Sequence, residues 1–288
     1  MPFSSSFDAL LPGQMAETAE LSGVRKATLD TLSSFTLSIL AGAFIALGAV
    51  FATTVVAGAG TALPYGVVRL LAGTVFSLGL ILVLVGGAEL FTGNNLIVMA
   101  WASRRVTTVQ LLRNWLIVYA GNLVGSFGTV VLVYLGGQHL FGDGSVGAAA
   151  LATADAKCGL GFVQAVALGT LCNALVCLAV WLTLGARTTA DKVLAIVPPI
   201  AAFVAAGFEH SIANMYFIPA GLLIRAGAPE GFWTAIGKSA ADYQDLTWER
   251  FVVGNLVPVT IGNIIGGAVL VGIVYWFVYL RGRQAQAE

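Results

Sequence analysis

Gly86-Gly87-Ala88-Glu89-Leu90-Phe91-Thr92-Gly93-Asn94-Asn95 and Ala206-Gly207-Phe208-Glu209-His210-Ser211 are the two stretches on which the reading of this chain turns. Each carries glycine and an acid, and each interrupts a long apolar run. No charged residue occurs over 70–88 before the first acid or over 193–208 before the second. As one straight helix, residues 70–103 would run about 50 Å at 1.5 Å per residue, well beyond a hydrocarbon core of about 30 Å. Both runs are therefore expected to be helices broken near their middle. Broken backbone at membrane depth is tolerated where it is buried in protein or lines a cavity, and its exposed N–H groups suit a passing anion.

The rest of the chain supports the membrane setting. Of its 288 residues, 58% are hydrophobic and only 10% charged, against about 25% charged in an ordinary soluble domain. The mean hydropathy is +0.90. Further charge-free runs cover 31–68, 158–186 and 251–280. Six spans are expected, near 32–57, 66–103, 108–137, 159–186, 193–224 and 251–280. The polar start Pro2-Phe3-Ser4-Ser5-Ser6 and the late first apolar run do not fit a cleavable leader. Residues 8–26 read as a short interfacial helix with an apolar side of Leu11, Met15 and Ala19.

Basic and acidic residues number 14 each, so no net charge points to nucleic acid. With six spans both termini share a side, and that side holds nine of the 14 basic residues. Positive loops resist translocation, so both termini are expected in the cytoplasm. Cys158, Cys172 and Cys177 form no CxxC pair and no zinc spacing with histidine, so packing is their expected role and no metal is expected.

A repeat runs through the chain. Asn114, Gly121, Asn122 and Gly125 recur at the same offsets as Asn255, Gly262, Asn263 and Gly266. Glu89 is followed five residues on by Asn94, and Glu209 by Asn214. Lys26 precedes the first copy and Lys157 the second. Three spans repeated once must enter the membrane in opposite senses, the arrangement of transport proteins with a pathway at the repeat interface. The Gly-xxx-Gly pairs allow close helix approach, either inside the protomer or between subunits. Glu89 and Glu209 are costly in an apolar setting and are expected to be ion-paired; pairing alone leaves open whether they fix the breaks or also attract substrate. Thr92 reads as a helix cap or a pathway residue. His210 is the one histidine within a span, where ionisable groups are functional by default. His139, at a loop boundary, is expected to be solvated.

At these segments the chain resembles a known family. Ala88–Gly93, Gly169–Trp181, Gly207–Met215 and Asn255–Gly267 are closely similar to the formate/nitrite transporter family, nearest to its bacterial formate channels. The resemblance implies an aquaporin-like, all-α protomer of six transmembrane helices in two inverted three-helix repeats, with the second and fifth helices broken. It implies five such protomers in a ring in the bacterial cytoplasmic membrane. By the same resemblance Thr92 and His210 face each other at the pore centre, with Asn173 and Asn263 orienting the central polar groups. Phe76, Leu80, Leu90, Phe91, Val176 and Phe203 form two apolar constrictions, and the pairs Lys26–Glu89 and Lys157–Glu209 stand at the two vestibules. Residues 1–31 would be a cytoplasmic segment, 32–281 the channel, with repeats over about 32–137 and 159–281, and 282–288 a tail. One position departs: Gly93 follows the loop threonine where formate channels carry serine, as in the nitrite branch.

The expected function is a passive or proton-assisted channel for formate, with nitrite as a second candidate substrate and lipid and sister protomers as partners. A proton-coupled secondary transporter is the alternative. A neutral-solute pore is disfavoured by the paired lysines. No nucleotide-binding glycine loop, cofactor motif or nucleophile–base set is present, so neither a cofactor nor enzymatic activity is expected.

Overall fold

The computed structural model describes residues 9–60 and 62–284; the polar start at 2–6, the first residue of the expected interfacial helix and the last four residues of the tail lie outside the described residues. The chain is all-helical. Helix α1 (Pro12–Thr28) is followed by α2 (Thr31–Val56) and α3 (Tyr65–Gly86). After a break come a 3₁₀ turn (Gly93–Ile97) and α4 (Val98–Ala102). Then follow α5 (Thr108–Leu135), α6 (Ser145–Cys158) and α7 (Phe162–Gly185). The second broken span is α8 (Thr189–Ala205) and α9 (Ser211–Gly227), after which come the short α10 (Glu230–Ile236) and the last rod, α11 (Arg250–Tyr279). Among the described residues five helices are long and apolar enough to cross a membrane, and α8 and α9 end to end make a sixth crossing.

Each break is set by local chemistry. Gly87 and Gly207 take φ of 82° and 76°, a left-handed conformation that only glycine adopts without penalty. The chain leaves helix there, and Glu89 and Glu209 donate their N–H groups out of the helix, to the carbonyls of Leu37 (3.2 Å) and Leu168 (3.3 Å). In α11 the turns over Arg250–Leu256 and Ile265–Ile273 are π-helical. Pro258, which has no N–H, follows the first of them and removes a bond from the regular ladder.

The two halves pack alike. α2 lies against α3 and α5 as α7 lies against α8 and α11, and α3 meets α8 where the halves join. Close approach explains the repeated glycines. A Cβ on Gly125 would collide with the Ile39 carbonyl of α2, and one on Gly266 with the Thr170 carbonyl of α7. Gly121 and Gly262 likewise face α2 and α7, so the Gly-xxx-Gly pairs serve the protomer interior. Gly125→Ala is expected to lose about 1–3 kcal/mol by overpacking. Gly128→Ala, with no atom within 4 Å of the added carbon, is the control, and equal melting temperatures for the two variants in detergent would contradict the packing.

Three regions differ from the sequence expectation. The N-terminal helix starts at Pro12, Leu11 is 69% exposed, and Met15, Ala16 and Ala19 are buried against Leu96, Met99, Cys177 and Trp181. Its apolar side therefore faces the bundle. Helix α6 was not foreseen, because its alanine-rich sequence carries no long apolar run; it holds Lys157 near its end as α1 holds Lys26. His139 is only 8% exposed. It stacks on Tyr134 at 4.9 Å and meets the edge of Phe232 at 5.9 Å, and burial lowers its pKa below the usual imidazole range.

Candidate permeation site

The two breaks are held by the same hydrogen bonds, copied residue for residue. In the first half Lys26 Nζ donates to Glu89 Oε1 (2.7 Å), and Asn94 Nδ2 donates to Glu89 Oε2 (2.7 Å) and Asn114 Oδ1 (3.0 Å). In the second half Lys157 Nζ donates to Glu209 Oε1 (2.8 Å), and Asn214 Nδ2 to Glu209 Oε2 and Asn255 Oδ1, both 2.7 Å. Asn114 and Asn255 each donate 3.0 Å bonds to the carbonyl of their half's lysine. The carboxylates are buried, with side chains 9% and 5% exposed. Both oxygens of each acid thus have a donor, which offsets the cost of removing the charge from water. Lys26 thus pairs with Glu89 and Lys157 with Glu209.

Asn122 and Asn263 tie the breaks to the neighbouring spans. Asn122 Nδ2 donates to the carbonyls of Ser38 (2.8 Å) and Glu89 (3.0 Å), and its Oδ1 accepts from Phe91 N (3.0 Å). Asn263 makes the matching set with Gly169 O (2.8 Å), Glu209 O (2.9 Å) and Ser211 N (2.9 Å). Asn173 Nδ2 reaches the carbonyl of Asn263 (2.7 Å), Asn95 Oδ1 (2.9 Å) and the carbonyl of Thr92 (3.3 Å). Asn173 and Asn263 therefore fix the backbone on either side of the central pair.

That pair breaks the repeat symmetry. The offset that relates Glu89 to Glu209 sets Leu90 against His210, so one half contributes a hydrocarbon where the other contributes an imidazole. His210 Nδ1 accepts from Ala213 N at 3.0 Å and caps α9. In the neutral ring the hydrogen is then on Nε2, which lies 3.0 Å from Thr92 Oγ1 and donates to it. Thr92 caps no helix; its hydroxyl faces His210, and its own hydrogen is left to donate elsewhere. Both residues are buried, and the Phe203 ring lies nearly parallel to the imidazole at 5.9 Å.

Apolar side chains close the path around this pair. Phe76, Leu80, Leu90, Val176 and Phe203 line, with His210, a void of about 10 Å³, at the lower limit for one water molecule. Phe76 meets Phe203 edge-on at 5.7 Å. Phe91 packs edge-on against Tyr119 (5.0 Å) and Trp115 (6.0 Å) and is not among the residues that line this void. Ile45 and Ile200 do line it and were missed, since nothing separates them in sequence from other lipid- or core-facing aliphatics. Asn94, Asn114, Asn214 and Asn255 were also left out of the expected site, though their matched offsets were visible.

The two ends differ. On the Lys157 side an open vestibule of about 420 Å³ runs from Tyr65 and Arg69 down to Phe203 and His210. On the Lys26 side the cavity is only about 30 Å³, and Ala19, Ser22 and Gly23 of α1 line it. Lys26 also donates to Asn94 Oδ1 at 3.0 Å, whereas Asn214 Oδ1 is buried without a partner.

Residues 13–277 match the family model described as formate/nitrite transporter. The chain is 50% identical over 281 residues to the formate channel FocA of Escherichia coli K12, covering 98% of both chains. It is 42% identical to the formate channel FocA of Haemophilus influenzae, covering 92% of this chain and 93% of that one. A solved structure described as a pentameric formate channel with formate bound superposes with a TM-score of 0.80 at 46% identity, covering 87% of this chain and 98% of that chain. On this match along nearly its whole length, the chain belongs to the formate/nitrite transporter family and is a multi-pass membrane protein.

Proposed function

We propose that this protein is a formate channel of the bacterial cytoplasmic membrane, assembled as a homopentamer with one pathway through each protomer and both termini in the cytoplasm. Residues 1–31 form its cytoplasmic segment, 32–281 the channel and 282–288 a tail. The observation that carries the reading is the buried Thr92–His210 pair, whose imidazole lines both an apolar constriction and an open vestibule. The similarity to formate channels supports formate as the substrate.

The path follows from the cost of charge. A carboxylate entering the vestibule meets the Lys157–Glu209 pair and then loses its water between Phe203, Phe76 and Leu80. A bare ion pays several kcal/mol for that step. The Thr92 hydroxyl hydrogen offsets part of it by donating to the carboxylate oxygen. His210 supplies either its neutral N–H, relayed through Thr92, or, once the ring has taken up a proton from the entry side, that proton; transfer makes the neutral acid and returns the neutral ring, and the acid crosses the remaining apolar stretch at much lower cost. Glu89 and Glu209 hold the breaks in shape, so the lysines remain placed at the two ends.

A flux assay in proteoliposomes with formate, nitrite, lactate and glycerol tests the function, and formate is expected to pass while glycerol is excluded. Glycerol flux equal to formate flux would overturn it. Within the same assay Phe203→Ala is expected to raise lactate flux relative to formate severalfold, because the ring that narrows the path is gone. An unchanged ratio would make Phe203 a packing residue only.

A further inference from the structure

The vestibule on the Lys157 side has a charge that the repeat does not explain. Three charged side chains line it, Arg69, Lys157 and Glu209. Lys157 and Glu209 cancel each other at 2.8 Å, which leaves the Arg69 guanidinium without an acidic partner among the described residues. Arg69 lies on α3 but reaches across to the end of α8. Its Nη2 donates to the Val204 carbonyl and its Nε to the Ala205 carbonyl, while Nη1 makes no hydrogen bond in the described residues.

The position of these contacts matters electrostatically. A broken helix presents two ends to the pathway. The start of α9 is its positive end and favours an anion. The end of α8, whose Val204 lines the vestibule, is its negative end, equivalent to about half an elementary negative charge, and would repel one. Arg69 covers that end with a full positive charge, so the local sign is reversed. The guanidinium fork is suited to this, because it binds two carbonyls and still presents a donor edge. The offset that relates Glu89 to Glu209 places Thr189 opposite Arg69, and the small cavity of the first half is lined by Lys26 as its only charged residue.

We propose that Arg69 makes the larger vestibule an outer docking site for small monocarboxylates, in which the carboxylate pairs with the free guanidinium edge before it reaches Lys157. The proposal rests on the formate-channel reading above and adds a side-specific binding step to it. The site is wide enough for carboxylates that the constriction rejects. Benzoate added on the vestibule side therefore occupies it and blocks formate current, whereas benzoate on the Lys26 side does not.

The test is formate current across a planar bilayer containing the full-length protein, with benzoate added to one side at a time. Wild type is expected to be blocked from the vestibule side only. Arg69→Gln should weaken that block, and raise the half-saturating formate concentration on that side, by about five- to tenfold. Arg69→Lys, which keeps the charge but not the fork, should weaken the block by less than Arg69→Gln does. No side-specific block in wild type, or an equal block in Arg69→Gln, overturns the docking site. If Arg69→Gln fails to assemble, wild type and Arg69→Lys decide it: a block that is symmetric, or that Arg69→Lys abolishes, overturns it. Wild-type protein that carries no formate at all would instead defeat the formate-channel reading itself.

Discussion

Replacing Lys157 with alanine is expected to destabilise the folded protein by about 3–5 kcal/mol, because it leaves a buried carboxylate without its counter-charge. The Glu209 side chain is 5% exposed and Lys157 15%, so water reaches neither freely. Asn214 still donates to Glu209 Oε2, but one amide does not replace an ammonium. The effect should be smaller for Lys26→Ala, since Lys26 is 31% exposed and solvent can reach the site it vacates. The decisive comparison is the cycle with Glu209→Ala. Removing both charges leaves a cavity but no unpaired ion, so Lys157→Ala/Glu209→Ala should be more stable than the sum of the single losses predicts. Thermal unfolding of the three variants in detergent measures this, and strictly additive losses would mean that the two residues are not energetically coupled.

His210→Asn is expected to abolish the pH dependence of formate flux. A relay in which the imidazole must first take up a proton runs faster as the pH falls, so wild-type flux should vary on the order of tenfold across the pH range of the assay. Asparagine can still receive the Ala213 N–H and face Thr92, but it cannot take up a proton. The sign is fixed by the chemistry. Lower pH on the entry side supplies the proton, so wild-type uptake rises as pH falls, and the variant should change by less than about twofold. Formate-anion current is expected to persist in the variant. A wild-type pH profile in His210→Asn liposomes would falsify the relay and leave the imidazole as a helix cap and hydrogen-bond donor.

What could be read from sequence depended on whether a residue's role is local. The breaks at Gly87 and Gly207 were legible, because a charged, glycine-bearing segment inside an apolar run is hard to reconcile with one continuous helix in lipid. The ion pairs were legible because a buried carboxylate requires a partner and each half offered one lysine in the right place. Helix α6 was not, since a segment such as Ser145–Cys158 gains its place by packing on α9 and not by its own pattern. The constriction was only partly legible. Phe76 and Phe91 are equivalent by composition, and packing alone turns one ring toward Phe203 and the other toward Tyr119. His139 shows the reverse case: a polar residue at a loop boundary was expected in water, and Tyr134 and Phe232 enclose it.

The buried cysteines have a practical consequence. Cys158, Cys172 and Cys177 are all free and all enclosed, and burial pushes the Cys158 thiol up to about 11. Thiol reagents attack the thiolate and need access to it, so the native chain should be nearly silent toward a polar maleimide. A single cysteine introduced at an exposed vestibule position, such as Tyr65, can then be labelled without first removing the natural three. Spectroscopic probes and cross-linkers can be attached to the working protein with its interior packing intact.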